Sequence, residues 1–292
     1  MGSVISIVNQ KGGVGKTTTA QALARELAKT KKVLLIDFDG QATLTELVNL
    51  NNHFDNEFIE EYMRTENIIK IFERVSIEPL DITDILKDEN GKSVVPINEL
   101  HFIPSPGNSI VAAAESVSGG KDMLLNKYLQ KIKEEYDFII IDSLPSVSTL
   151  FRNVLLASDA LIVAIQTKTN SIAGANGFLQ VLNDVLEDYD KTYKHLFILP
   201  TMYNKQRRDD KETLAEIMGS YMASLKTYSS IGKIPVTLLE EIPERTVFSN
   251  AQAVRYFLHD YIEGFDTGKR DILLLLEHIS KVITTKLEVG EE

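Results

Sequence analysis

The sequence contains no cysteine, which excludes disulfide bonds, thiolate nucleophiles, cysteine-ligated zinc sites and iron–sulfur clusters. It also lacks any apolar run approaching the about 18 residues that a membrane-spanning helix needs. Positive charge is scarce as well, because 31 lysine and arginine residues stand against 42 acidic residues, for a net charge of −11. Such a charge repels nucleic acid, so any DNA binding must come from a local basic patch.

The N-terminus lacks the basic segment and long apolar core of a signal peptide, since its first apolar stretch runs only from Val4 to Val8. We therefore expect a cytoplasmic protein. The content of 43% hydrophobic and 25% charged residues is ordinary for a globular domain. A chain of 292 residues can bury one sizeable α/β core, and we expect a single domain over residues 1–292.

Short apolar runs bounded by turn residues alternate with amphipathic stretches, which is the pattern of a parallel sheet flanked by helices. Each run is apolar at nearly every position, as a strand covered on both faces should be. The predicted strands are residues 4–8, 33–36, 101–103, 138–141, 160–165 and 196–200. The predicted fold class is therefore α/β with a mostly parallel central sheet.

Three other segments have a distinct composition. Residues 17–29 have helical periodicity, with alanine and leucine on one face and Arg25, Glu26 and Lys29 on the other. Residues 51–98 are rich in acidic side chains, and we interpret them as an acidic helical elaboration that is either a solvated face or a docking surface. Residues 288–292 are expected to form a short, frayed acidic tail.

A glycine-rich loop, QKGGVGKTT at residues 10–18, lies between the first predicted strand and the predicted helix. In this context the backbone N–H groups of such a loop surround phosphate oxygens, and the helix N-terminus adds the positive end of its dipole. Lys16 should reach the β- and γ-phosphates of ATP, and the Thr17 hydroxyl should ligate Mg²⁺. The strand–loop–helix context disfavours the alternative of a chance glycine turn. The predicted nucleotide-binding residues here are Lys11, Gly12, Gly13, Val14, Gly15, Lys16, Thr17 and Thr18.

The loop departs from the usual phosphate-binding pattern at its first position, where Gln10 replaces glycine and Lys11 follows. Lys11 lies too early in the loop to duplicate Lys16. A lysine that enters from a facing subunit could act as an arginine finger does, by stabilising the charge that develops on the γ-phosphoryl group. The alternative is that Lys11 is a solvated loop residue.

With these residues, the sequence resembles the deviant-Walker ATPases of the ParA/MinD superfamily, and most closely the short ParA-type partition ATPases. The likeness extends over nearly the whole chain. It includes NQKGGVGKTTT at 9–19, VLLIDFDGQATL at 33–44, FIPSPGNSIVAAAE at 102–115, YDFIIIDSLPS at 136–146, LPTMYN at 199–204 and IPERTVFSNAQ at 242–252. The resemblance implies a P-loop NTPase fold and an ATP-dependent homodimer in which Lys11 crosses to the partner's nucleotide.

The same resemblance implies roles for three carboxylates. Asp39 matches the residue that orients the attacking water, Asp37 matches the one beside Mg²⁺, and Asp142 ends a buried strand where a Walker B aspartate would hold Mg²⁺. The alternative for Asp37 and Asp39 is a pair of solvated aspartates at a strand end. The chain has Gly40 and Leu144 where the family usually has proline. The predicted catalytic residues are Lys11, Lys16 and Asp39, and the predicted metal ligands are Thr17, Asp37 and Asp142.

By the same matching, Asn204 and Pro243 lie near the adenine, although either could be a plain loop residue. Partition ATPases of this type bind DNA non-specifically through basic residues toward the C-terminal half. The candidates in this chain are Arg207, Arg208, Arg245, Lys269 and Arg270. Each could equally belong to a solvated face, and the family's arginine near Arg245 stands one position earlier, where this chain has Glu244.

The resemblance implies a DNA partition ATPase for a plasmid or a chromosome, nucleoid-associated in the cytoplasm and slow without its partner. Because the loop begins at Gln10, we expect no preceding helix–turn–helix, so a ParB-like protein would recognise the centromere. The absence of cysteine excludes nitrogenase-reductase relatives, and the last tyrosine, Tyr261, lies too early for a C-terminal tyrosine cluster of a kinase. The alternative is a MinD-like or cargo-positioning ATPase switch on a membrane or protein scaffold. The apolar segment 272–287 is followed by acidic residues, which favours core packing over membrane binding, and no membrane partner is expected.

Overall fold

The computed structural model describes residues 2–48, 56–86, 95–146, 148–167, 171–228 and 230–288. Within these residues, the strands are β1 Ser3–Val8, β2 Lys32–Phe38, β3 Leu80–Asp81, β4 Glu99–Ile103, β5 Phe138–Ser143, β6 Ala160–Gln166, β7 His195–Thr201 and β8 Val236–Leu238. The predicted tail residues 289–292 lie outside the described part of the chain. All six predicted strands are confirmed.

The eight strands form one sheet in the order β3-β4-β2-β5-β1-β6-β7-β8. Among the described strands, β3 alone runs antiparallel to its neighbour. Neither β3 nor β8 was predicted, because strands of two and three residues with little burial present no apolar run. The α/β class with a mostly parallel sheet is confirmed. The acidic elaboration is not purely helical, since β3 belongs to it and extends the sheet edge.

Alternate residues of the central strands are buried on opposite faces of the sheet. In β1, Ile5 and Ile7 contribute to one core layer, whereas Val4 and Val8 contribute to the other. Side chains in a strand point alternately to the two faces, so a strand with helices on both sides must be apolar throughout. Full burial of each such side chain contributes about 1.5–3 kcal/mol of hydrophobic free energy.

The helices of the described chain cover both faces of the sheet and include the predicted helix at 17–29, which is confirmed. They are α1 Lys16–Leu27, α2 Thr43–Val48, α3 Asn56–Thr65, α4 Lys70–Glu73, α5 Ser109–Ser116, α6 Leu124–Ile132, α7 Thr149–Ala157, α8 Ser171–Tyr189, α9 Arg208–Thr227, α10 Thr246–Ala253, α11 Leu258–Phe265 and α12 Arg270–Glu288. Helices α3 and α4 lie in the acidic elaboration, as its apolar spacing predicts.

The polar face of α1 is covered rather than solvated. Arg25 is fully buried, and its guanidinium donates to both carboxylate oxygens of Asp260 in α11 at 2.9 Å. The buried Glu26 pairs with the His259 ring at 2.6 Å. Charged groups are tolerated in the interior when each has a hydrogen-bonded partner. The sequence pattern identified these residues as polar but could not show that a distant helix packs over them.

The C-terminal helix α12 packs in the core, which confirms the core-packing interpretation of residues 272–287. Ile272, Leu276, Ile279 and Ile283 are buried in the same layer as the apolar face of α1. Among the described residues, no helix combines the length and apolar character that crossing a bilayer requires.

Candidate nucleotide-binding site

The glycine-rich loop leaves β1 and enters α1 at Lys16. Gly13 and Gly15 have φ values of 70° and 87°, a left-handed conformation that residues with a Cβ rarely adopt. A Cβ at either position would meet no atom within 4 Å, so backbone conformation rather than crowding requires glycine. Because Gly15 occupies the N-cap of α1 without a side-chain cap, the N–H groups of the first turn are available to an anion.

The loop is anchored to the strands behind it. The carbonyl of the buried Val14 accepts a hydrogen bond from the Thr201 hydroxyl at 2.8 Å. The Asn9 side chain accepts from the Lys11 N–H at 2.9 Å and donates to the carbonyl of Ala164. Neither Asn9 nor Thr201 was predicted as a site residue, although both lie in stretches that carry the family resemblance.

The two loop lysines occupy different positions. Lys16 is buried, with 6% of its surface exposed, and its Nζ donates to the Lys11 carbonyl at 3.2 Å. Burial lowers the pKa of Lys16, while the nearby charges of Asp142 and Asp39 raise it. Lys11 is half-buried, and its Nζ donates to the Gln166 side-chain oxygen at the end of β6 at 3.2 Å. Lys16 therefore lies inside the chain's own site, whereas Lys11 lies beside β6.

Asp142 is a fully buried carboxylate that lies in register with Asp37 on the adjacent strand β2. Among the described residues, neither of its oxygens has a hydrogen-bond partner. Burial, followed by the charge of Asp37, raises the pKa of Asp142 to about 8. The nearby Thr17 hydroxyl and the charge of Lys16 lower the pKa of Asp142. The Thr17 hydroxyl lies close to the carboxylate but does not form a hydrogen bond with it. Two unpartnered buried oxygens beside a threonine hydroxyl fit a hard divalent cation such as Mg²⁺.

Asp37 is also fully buried, but both of its oxygens are engaged. One accepts the Asp39 N–H at 3.1 Å, and the other accepts both the N–H and the hydroxyl of Thr45 at 2.8 Å. Burial raises the pKa of Asp37 to about 6, against the effect of these hydrogen bonds. In the described chain, no group of three or more histidine or acidic side chains could hold a metal. This agrees with Mg²⁺ sites that rely on one or two carboxylates and the substrate's phosphates.

Asp39 lies at the mouth of the site and is half-buried. Its Oδ1 accepts the Gln41 N–H at 3.0 Å, and its backbone carbonyl accepts the Ser105 hydroxyl at 2.7 Å. Asp39 is close enough to Lys16 to raise the pKa of that ammonium. The structure thus brings together Lys16, Thr17, Asp39 and Asp142, as predicted from motifs separated by more than a hundred residues.

A cleft of about 230 Å³ lies beside the phosphate loop. Its lining includes Gly15, Thr18, Met202, Pro243, Phe248 and Gln252. Pro243 therefore lies where an adenine could bind, but Asn204 lines a neighbouring cavity, and its side-chain oxygen accepts the Gln206 N–H at 3.0 Å. Met202, in a loop, and Phe248, in α10, were not predicted, because a single apolar residue gives no signal of a ligand.

The four arginines proposed to contact DNA are exposed and paired with carboxylates. Arg207 lies 3.3 Å from Glu244, and Arg245 lies 3.5 Å from Asp271. The other two pairs are Arg208 with Glu212 and Arg270 with Glu263. The fifth candidate, Lys269, is partly exposed. The alternative that this segment forms a solvated face holds for Arg207 and Arg208 but not for the neighbouring Asp210. Asp210 is 5% exposed and accepts the Asn204 N–H.

The chain is similar to several known proteins. A family model described as an AAA domain matches residues 2–195. An uncharacterised protein of Methanocaldococcus jannaschii is 33% identical over 248 residues, which are 83% of this chain and 88% of that protein. The chromosome-partitioning ATPase Soj of Thermus thermophilus is 31% identical over 201 residues, which are 68% of this chain and 69% of Soj.

Among solved structures, a plasmid partition protein of Borrelia burgdorferi B31 bound to AMPPNP superimposes with a TM-score of 0.63. It is 27% identical, and the match covers 94% of this chain and 98% of that protein. At this coverage the likeness concerns nearly the whole fold.

Proposed function

Because this chain belongs to the ParA/MinD-type P-loop ATPases, we propose that it hydrolyses ATP as a nucleotide-dependent homodimer that moves DNA during partition. One observation carries the enzymatic part of this proposal. The buried ammonium of Lys16 and the unpartnered carboxylate of Asp142 converge in front of the uncapped first turn of α1. Such a site can hold a triphosphate on one side and a hard cation on the other.

The residues gathered at this site then have distinct tasks. Asp37, whose two oxygens are engaged by Asp39 and Thr45, supports Asp39 rather than the metal. The loop N–H groups and Lys16 bind the phosphate oxygens, and Thr17 and Asp142 hold the metal. Bound Mg²⁺ would neutralise the charge that develops on the phosphates. The Asp39 carboxylate, held at the mouth of the site, orients a water molecule for in-line attack by accepting its hydrogen bond. The cleft at Pro243 takes the adenine.

Dimerisation depends on Lys11, which we place against the partner's γ-phosphate in the ATP state. Lys11→Ala should leave nucleotide binding intact, abolish the ATP-dependent dimer and lower turnover by about 10³-fold or more, the scale of an arginine finger. Size-exclusion chromatography with light scattering, in ATP and in ADP, measures the molar mass and hence the dimer fraction.

Lys31→Ala is the control for Lys11→Ala, because Lys31 lies near Gly2 and Asp137 at the opposite end of the sheet. It should dimerise as the natural chain does. Equal dimerisation of Lys11→Ala and the natural chain would refute the cross-subunit role.

DNA binding, in this proposal, uses the exposed arginines, which must exchange their carboxylate partners for phosphates. The ATP-bound protein should bind duplex DNA with an affinity that falls steeply as salt rises, because each neutralised phosphate releases counterions. The double variant Arg207→Ala/Arg245→Ala should lose two phosphate contacts. The slope of log affinity against log salt concentration should therefore become less negative by about 1.8. Fluorescence anisotropy with random-sequence DNA at several salt concentrations checks this.

Arg64→Ala is the control for the DNA experiment, since Arg64 is also exposed and lies beside a carboxylate, but belongs to α3 in the acidic elaboration. It should leave the salt dependence unchanged. Absence of ATP-dependent DNA binding would remove the partition role and favour the alternative of a switch on a protein scaffold. A ParB-like partner would be recognised by its stimulation of an otherwise slow turnover.

A further inference from the structure

Two hydroxyl groups join the loop that follows β2 to the loop that follows β4. Thr45 lies at the start of α2, and Ser105 lies two residues beyond the end of β4. The Thr45 hydroxyl donates to Asp37 at 2.8 Å and accepts the Ser105 N–H at 2.9 Å. The Ser105 hydroxyl donates to the Asp39 carbonyl at 2.7 Å and accepts the Gly107 N–H at 3.3 Å. Each hydroxyl thus donates once and accepts once, which fixes its orientation.

This network holds the backbone on both sides of Asp39. The Asp39 N–H donates to Asp37, and the Asp39 carbonyl accepts both the Ser105 hydroxyl and, within its own turn, the Ala42 N–H at 3.0 Å. Of these two donors to the carbonyl, only Ser105 ties Asp39 to another part of the chain. With both flanking peptide groups fixed, the direction of the Cα–Cβ bond is set. The hydrogen bond from the Gln41 N–H to Oδ1 then restricts the side-chain torsions. Ser105 is 1% exposed, so water does not readily replace its hydroxyl.

Gly40, which follows Asp39, explains why the Asp39 backbone needs hydrogen bonds from another segment to fix its conformation. The chain has no ring or Cβ at this position to restrict the backbone. Instead, the segment after Ser105 packs against Gly40. A Cβ at residue 40 would lie 3.5 Å from the Asn108 side-chain oxygen and 3.6 Å from the Val111 side chain. These are ordinary contact distances, so alanine fits at this position.

We propose that Ser105 is a positioning residue for Asp39, and that it supplies the rigidity that Gly40 cannot. Thr45 supports it from the other side by holding Asp37 and the Ser105 N–H. Ser105 does not contact the substrate in this scheme, so it acts on the attack of water and not on nucleotide binding. The inference rests on the proposed role of Asp39.

The first test compares Ser105→Ala with Ser109→Ala under saturating Mg²⁺ and ATP. Ser109 is the matched control, because its exposed hydroxyl donates to the Pro106 carbonyl in the same segment without touching Asp39. Ser105→Ala should lower kcat by about 5- to 10-fold, the scale of one buried neutral hydrogen bond. Its KM should stay within about twofold of the natural value, because ground-state binding is unchanged. Ser109→Ala should match the natural chain in both.

A second test asks whether rigidity is what Ser105 supplies. Gly40→Ala restricts the backbone next to Asp39 and should restore kcat about threefold in the Ser105→Ala background while changing it little alone. Thr45→Ser keeps the hydroxyl and should retain activity, whereas Thr45→Val removes it and should resemble Ser105→Ala. If Ser105 only stabilised the fold, Ser105→Ala would lower Tm, and Gly40→Ala would not restore kcat.

Three results would decide the matter. The inference is overturned if Ser105→Ala has the kcat of Ser109→Ala while Asp39→Ala is inactive. It is also overturned if the loss in Ser105→Ala follows Tm and Gly40→Ala restores nothing. If Asp39→Ala hydrolyses ATP as fast as the natural chain, the proposed function of Asp39 fails first, and the inference fails with it.

Discussion

Lys16→Ala should reduce the affinity for ATP on the order of 100-fold and lower turnover by a further 10²–10³-fold. Lys16 is buried beside the first turn of α1, where its ammonium donates to the Lys11 carbonyl. A charge held in such a position and hydrogen-bonded to phosphate is expensive to remove, because the phosphate oxygens then lose their buried partner. Isothermal titration calorimetry with ATP and Mg²⁺ measures the affinity, and phosphate release measures turnover.

Lys29→Ala is the control for Lys16→Ala, because Lys29 lies just beyond the other end of α1 and pairs with Glu26. It should bind ATP as the natural chain does. If Lys16→Ala binds ATP within about threefold of the natural affinity, the loop does not grip the terminal phosphates as charge-assisted hydrogen bonding requires.

Asp142→Asn should change stability in opposite directions with and without nucleotide. In the natural chain, burial raises the pKa of Asp142 from 3.8 to about 8. Its contribution to stability is therefore fully present below about pH 4 and is lost as pH rises through about 8. Asparagine does not ionise, so the nucleotide-free variant should melt higher than the natural chain at pH 9 and similarly at pH 4. The gain at pH 9 should be about 3 kcal/mol, the scale of an uncompensated buried charge.

With Mg²⁺ and ATP the order should reverse. The natural chain gains about 2.7 kcal/mol of stability when ATP is present at 100 times its Kd, whereas Asp142→Asn loses a metal ligand and should gain little. Differential scanning fluorimetry at both pH values, with and without nucleotide, checks this. Asp188→Asn, a change at an exposed carboxylate of α8, is the control and should follow the natural chain. Equal stabilisation of Asp142→Asn by Mg²⁺ and ATP would exclude Asp142 as a ligand.

The sequence was most informative where one local pattern specifies one local structure. Six apolar runs gave six strands, because a strand covered on both faces has no polar alternative. The glycines at 13 and 15 marked the phosphate loop, because their φ values exclude other residues. Asp142 stood out because it follows four apolar residues at the end of a predicted strand, where the family resemblance implies a Walker B aspartate.

The sequence was least informative where two distant segments meet. Thr45 and Ser105 are ordinary hydroxyl residues, and only the pairing of β2 with β4 brings them together. Arg25 belonged to the polar side of a helical pattern, and its burial depends on Asp260, 235 residues away. Met202 gave no signal either, although its φ of 54° places it in a strained conformation at the edge of the cleft.

The packing of α11 and α12 over α1 makes the ends of the chain interdependent. Helix α1, which starts at the phosphate loop, pairs its Arg25 and Glu26 with Asp260 and His259 of α11. Its apolar face packs against the apolar face of α12. A nascent chain that has emerged only as far as residue 195, where the family match ends, still lacks these partners and the residues from Thr201 onward that line the cleft beside the phosphate loop. The ability to bind ATP should therefore arise late in synthesis. Proteolytic removal of α12 should abolish ATP binding by the phosphate loop, although the two lie near opposite ends of the sequence.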